Sequence, residues 1–149
     1  MTTTDNHHPT VHLVAGGFEA DVDEDLAPIL RLTWEAGIET MSGCQNAAEG
    51  MADLLEREPH MVAYVEAHKD RAYIDFYPGG IEAFLTLVSN GKPDDEMDYR
   101  IYHWCAPGAW GKRLHVLPWD GVFQIQGAQL SFPVSDIPLI VECLERASA

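Results

Sequence analysis

The sequence predicts an α+β domain built on a single mostly antiparallel sheet of five or more strands, with about four helices mainly on one face. Three observations lead there. Four segments carry apolar residues at helical spacing on one side only, and the strand-like segments alternate apolar with polar residues. No internal repeat or linker divides the chain into separate units.

Taken in order, residues 1–10 are polar and read as a disordered tail, which also holds His7, His8 and, just beyond, His12. Thr10 to Ala15 alternates as a short strand and stops at Gly16-Gly17. Asp23, Glu24 and Asp25 then place carboxylates at the positive end of a helix over Asp25 to Ala36. Its stripe is Leu26, Ile29, Leu30 and Thr33, and Gly37 closes it. Ile38 to Met41 reads as a short strand. Asn46 and Glu49 have the spacing of a capping box for a second helix, Ala47 to Glu58, striped by Met51, Leu54 and Leu55 and ended by Pro59.

Met61 to Ala67 and Ala72 to Tyr77 read as a hairpin across His68 to Arg71. Pro78-Gly79-Gly80 precedes a third helix, Ile81 to Ser89, with Ile81, Phe84, Leu85 and Val88 on one side. Met97 to Cys105 and Lys112 to Trp119 read as a second hairpin centred on Gly108. Val122 to Phe132 is a strand pair or one long bulged strand, because its apolar parity changes at Gly127. Ser135 or Asp136 caps the last helix, Ile137 to Arg146, striped by Ile137, Ile140, Val141 and Leu144.

Composition narrows the functional classes. The chain has 149 residues, 46% of them hydrophobic, enough for a core without disulfide or metal support. Nine Lys and Arg against 24 Asp and Glu leave a net charge of −15, which argues against nucleic acid as a direct ligand. That acidity fits either plain solubility or a negative surface that imitates DNA toward a DNA-binding or defence protein. Three cysteines without a C-x-x-C pair fit reduced thiols, and the expected compartment is the cytoplasm. No apolar run reaches the roughly 20 residues of a membrane span. The oligomeric state is left open.

Two places concentrate chemistry. The first is Thr40, Ser42, Cys44 and Gln45, read as a loop running into a helix N-terminus, where backbone N–H groups attract anions and lower a thiol's pKa. The functional reading is a ligand loop or a Cys44 nucleophile. The structural reading is a tight turn whose hydroxyls satisfy backbone groups. The second is an aromatic hairpin face of Tyr102, Trp104, His115 and Trp119, set to stack a planar ligand or anchor a partner unless it is a second layer of core. His103 and Cys105, two apart on a predicted strand, supply only two metal ligands. No metal or cofactor is therefore assigned, and the common nucleotide, hydrolase and zinc-protease motifs are absent.

The stretch Asp25 to Gln45 (DLAPILRLTWEAGIETMSGCQ), the Gly-Gly-Ile-Glu-Ala-Phe helix start and the closing Leu-Ser-Phe-Pro-Val-Ser-Asp-Ile-Pro resemble a family of small actinobacterial and phage proteins. Those proteins usually show Ser-Cys-Gln-Gly where this chain has Gly43-Cys44-Gln45-Asn46, and the resemblance implies no activity. A narrower likeness to the Thr-x-Ser-Cys-Ser-Gly motif of the wybutosine-synthesis tRNA methyltransferases rests on Thr40 and Cys44 alone. The acidic surface argues against carrying it over. The leading expectation is a non-catalytic protein that binds a small ligand or a protein partner through the Cys44 loop and the aromatic face. A cysteine-dependent enzyme and an acidic inhibitor are the alternatives.

Overall fold

The computed structural model describes residues 9–44, 52–67, 69–103 and 106–149. The chain runs β1 (Thr10–Ala15), β2 (Phe18–Asp23), α1 (Ala27–Glu35), β3 (Thr40–Cys44), α2 (Ala52–Arg57), α3 (Val62–Ala67), β4 (Arg71–Phe76), α4 (Gly80–Asn90), α5 (Glu96–Tyr102), β5 (Gly111–Trp119), β6 (Val122–Pro133) and α6 (Ile137–Ser148). The class is α+β. The strands form two sheets rather than one, a β1–β2 hairpin and an antiparallel sheet in the order β3-β4-β6-β5. Among the described residues, no helix is long and apolar enough to cross a membrane.

The separate hairpin follows from Gly16 and Gly17, whose φ angles of 58° and 87° return the chain on itself and pair Ala15 with Phe18. A Cβ at Gly16 would also strike the Trp34 carbonyl, so the turn packs directly on α1. β2 escaped the sequence reading because its Asp21 and Asp23 are poor strand formers. His12 therefore lies in β1, with its ring against Asp21 and Glu19 of β2 at 2.8 and 2.6 Å. Of the predicted tail, Pro9 and Thr10 are described and are tied down, since the Pro9 carbonyl accepts from the Glu24 N–H at 3.0 Å and Thr10 pairs with Asp23; residues 1–8 lie outside the described residues.

Two predicted strands are helices. Met61 to Ala67 forms a 3-10 turn and α3, in which Val65 is buried while Val62 and Tyr64 are exposed. Met97 to Tyr102 lies in α5, with Met97 and Ile101 buried one turn apart and Tyr99 outside. The apparent alternation was accidental, since the residues that matter stand four apart, as in a helix. The acidic Glu96 and Asp98 also suit the first turn of α5. Both predicted hairpins thus lose a strand. β4 pairs with β3 and β6, and β5 with β6, through a two-residue turn at Asp120 and Gly121 with φ of 51° and 83°. The expected irregularity in β6 is present, because His115 faces Gly127 while Val116 faces Ile125, leaving Gln126 as the extra residue.

The core lies between one sheet face and the helices. Ala72, Ile74 and Phe76 of β4 join Leu130 and Phe132 of β6, covered by Ile29 and Leu30 of α1, Phe84 and Val88 of α4, and Ile140, Cys143 and Leu144 of α6. α6 packs against both α1 and α4. Burial raises the Cys143 thiol above its ordinary pKa, which keeps it protonated and unreactive.

At the start of α6, Asp136 Oδ2 accepts from the fully buried Trp110 indole at 2.9 Å and from Arg100 Nε at 3.2 Å. Replacing Asp136 with alanine strands the indole N–H in the interior and releases Arg100. We expect Asp136→Ala to cost about 3 kcal/mol in chemical denaturation, while Ser135→Ala at the exposed neighbouring position stays within about 0.5 kcal/mol. Equal effects would remove the anchor role.

The two carboxylates beside His12, Asp21 first and Glu19 second, raise its pKa above 6.5. Protonated His12 thus favours the folded hairpin below the unfolded pKa, and that contribution is lost as pH rises through the folded one. An NMR titration should show the His12 ring changing above pH 6.5 and returning toward it in Asp21→Asn. An unchanged midpoint would refute the pairing.

Candidate functional site

Because β4 sends Ala72, Ile74 and Phe76 into the core, Arg71, Tyr73 and Asp75 take the opposite face. Asp75 collects three side-chain donors there from three other strands. Oδ2 accepts from Ser42 Oγ of β3 at 2.6 Å. Oδ1 accepts from Gln129 Nε2 of β6 at 3.1 Å and, with His115 protonated at Nε2, from that ring nitrogen of β5 at 3.0 Å. The side chains of Asp75 and His115 are 15% and 32% exposed, so the pair is shielded without being sealed.

His115 reaches across β6 because its register partner is Gly127, which places no side chain between the ring and β4. A Cβ at Gly127 would press on the Phe76 carbonyl and the Met41 methyl. The contact with Asp75 holds the imidazole in one orientation. The order is nevertheless Ser–Asp–His rather than Ser–His–Asp. The Ser42 proton is directed at a carboxylate and not at a base that would activate the hydroxyl. What the arrangement offers is a rigid polar seam beside a groove of about 510 Å³ lined by Met41, Ser42, Asp75, His115, Leu117 and Gln126.

Of the residues singled out from sequence, Ser42 and His115 meet through Asp75. Thr40 is structural, its hydroxyl accepting from the Trp34 indole at 3.0 Å. Cys44 is the last residue of β3, opposite Tyr73, in a strand rather than the predicted loop. Gln45 and the Asn46 cap lie outside the described residues, as do Trp104 and Cys105. Cys44 and His115 occupy the two outer strands of the sheet, three inter-strand spacings (about 14 Å) across and four residues (about 13 Å) along, or about 19 Å apart.

The aromatic face does not form as expected. Tyr102 ends α5, whereas His115 and Trp119 share a face of β5 but stand four residues apart, about 13 Å along the strand. His103, predicted on a strand, follows α5, and its ring packs 4.7 Å from that of Tyr99. Among the described residues no group of three or more His, Cys, Asp or Glu is placed to hold a metal ion.

No protein-family model, curated protein or solved structure matches this chain.

A feature the sequence reading passed over lies beyond the polar seam. β4 ends at Phe76, opposite Ala128, so the earlier residues of β6 have only β5 beside them and the two strands project as an arm. Leu114, Val116, Leu117, Trp119, Val122, Phe123 and Ile125 are 44% to 73% exposed there. Leu114, Val116, Phe123 and Ile125 take the helix-side face, and Leu117, Trp119 and Val122 the other. On the helix side the base of the arm borders an apolar groove of about 460 Å³ with Ile81, Glu82, Leu85, Leu114, Ile125 and Ala128 in its wall. The signal that could have exposed the arm is Asp120-Gly121 between alternating apolar segments.

Asp75→Ala leaves the amide of Gln129 and the ring of His115 without their acceptor. A loss of about 1–3 kcal/mol in urea unfolding is expected. Ser42→Ala, which removes only the more exposed donor, should lose less than about 1 kcal/mol. The reverse ranking would show that Asp75 does not organise the seam.

Proposed function

We propose that this is a non-catalytic binding protein whose contact surface is the β5–β6 arm and the apolar groove at its base. The observation that carries this reading is the arm itself, with seven large apolar residues exposed, four on one face and three on the other, on a ribbon outside the core cluster. Isolated exposed apolar residues are ordinary on a protein surface, whereas a contiguous patch of this size marks a binding surface. A two-stranded ribbon with apolar side chains on both faces is also poorly stable when solvated, so a partner that covers it stabilises it.

The separation of Cys44 from His115 favours binding over cysteine chemistry, because a thiol nucleophile requires a base within hydrogen-bond reach. The polar seam then serves as the rigid floor from which the arm extends, and its oriented His115 adds a hydrogen-bonding group at the arm's base.

If the arm serves contact rather than folding, its residues are nearly neutral for stability in dilute protein. Trp119→Ala and Phe123→Ala are expected to change unfolding free energy by less than about 0.5 kcal/mol. Phe84→Ala, at a fully buried position, should cost about 3–5 kcal/mol. Arm variants that unfold at high dilution would tie the arm to the fold and remove the contact reading.

A further inference from the structure

We infer that the partner that covers the arm is a second copy of this chain, in a two-fold dimer where each arm lies in the groove between the other copy's arm base and α4. The inference rests on the arm being the contact surface, and three observations select the occupant.

The first is shape and chemistry. One face of the protein carries both a protruding apolar ridge, through Val116, Phe123 and Ile125, and an apolar groove walled by Ile81 and Leu85 of α4. A surface that supplies both a ridge and its receptor is self-complementary, which is what a two-fold contact between identical copies requires.

The second is area. The four arm residues on the helix-side face, 44% to 73% exposed, leave on the order of 450 Å² open, and the α4 wall of the groove adds to it. The contact falls at the low end of specific interfaces, whose standard size is about 800 Å² per partner, which fits a dimer that dissociates on dilution.

The third is charge. Copies of a chain with net charge −15 repel one another unless they meet where the acidic residues are few. Gly111 to Gly127 holds only one of the 24 acidic residues, Asp120, against Lys112 and Arg113. The groove adds Glu82 beside those two cations, and neither Glu82 nor Arg113 forms an ion pair among the described residues. Arg113 shares the Asp75 face but lies on the outer strand and borders the groove from the sheet edge, so across a two-fold axis Glu82 of each copy can meet Arg113 of the other, giving two equivalent pairs at the interface rim.

Sedimentation velocity on the full chain, from about 0.1 to 100 µM, tests this. The expected result is a species of twice the 16.6 kDa chain mass that dissociates on dilution. Phe123→Asp with Ile125→Asp should raise the dissociation constant by about 100-fold or more while circular dichroism keeps the helix content. Glu82→Arg and Arg113→Glu should each weaken the dimer by about 3- to 10-fold, and the two together should restore it. Rescue of that kind places both residues in one interface, which a merely structural effect would not do.

A monomer throughout the range would overturn the second copy while leaving the arm as a contact surface for a different protein, provided the dilute arm variants remain folded. A dimer unaffected by the Phe123→Asp, Ile125→Asp double substitution would overturn the proposed interface. Arm variants unfolded at high dilution would overturn both the inference and the binding reading.

Discussion

The carboxylate of Asp136 is the constraint on which the rest of the molecule turns. It stands at the N-terminal end of α6 and accepts from Trp110 and Arg100 through one oxygen, joining α5, the segment leading into β5 and α6 at a single atom. The Trp110 backbone N–H also donates to the Arg100 carbonyl at 2.9 Å, so the contact is held by main chain and side chain together. Arg71 of β4 lies within the same field; burial lowers its pKa and the Asp136 charge opposes that shift. A buried charge such as Asp136 gives little net stability against an apolar substitute. Its value here is placement, because it fixes where β5 begins.

That placement explains how an apolar arm can leave the sheet without loosening the core. Trp110 is fully buried and β5 starts at the next residue, so the ribbon is rooted at one end in the most tightly packed part of the protein. Halfway along, Ser42, Asp75, Gln129 and His115 lace all four strands together on the face opposite the core. Beyond that lacing the strands have only each other. Core anchor, polar seam and free arm succeed one another along β5, and each stage makes the next geometrically defined. The bulge at Gln126 falls between seam and arm, just past the point where β4 ends opposite Ala128.

Much of the fold is legible in the sequence wherever one period dominates. The stripes of α1, α4 and α6 follow from residues such as Ile29, Phe84 and Ile140, and the alternation of β4 follows from Ala72, Ile74 and Phe76. The failures share a physical cause. Over a short span, apolar residues four apart satisfy both a helix and a strand, so Met97 and Ile101 cannot distinguish them until Tyr99 is seen to face solvent. Misreading α5 as a strand then gave β5 the wrong partner and set Tyr102, which ends a helix, on one sheet face with His115 and Trp119. At the site, Ser42 and His115 were recognisable as polar residues in strands. Asp75 was passed over because only register places it between them, and register is a long-range property.

The distribution of charge links the arm to the acidity of the whole. Long-range repulsion between strongly acidic molecules falls off within about 10 Å at 0.1 M salt, so it opposes any encounter but not a contact already made. A protein of this kind can present an apolar surface without associating indiscriminately, provided that the surface is small and the remainder is acidic. The charge around the arm sharpens this selection. Lys112 and Arg113 lie at its base, and Asp120 alone supplies a carboxylate along the ribbon. An approaching acidic molecule is therefore repelled from most directions and least opposed toward the arm. Electrostatics of this form contributes orientation and specificity, whereas affinity comes from the buried apolar area. On the proposed contact reading, the acidity that first reads as plain solubility doubles as a filter, with the β5–β6 ribbon as the direction in which contact is least penalised.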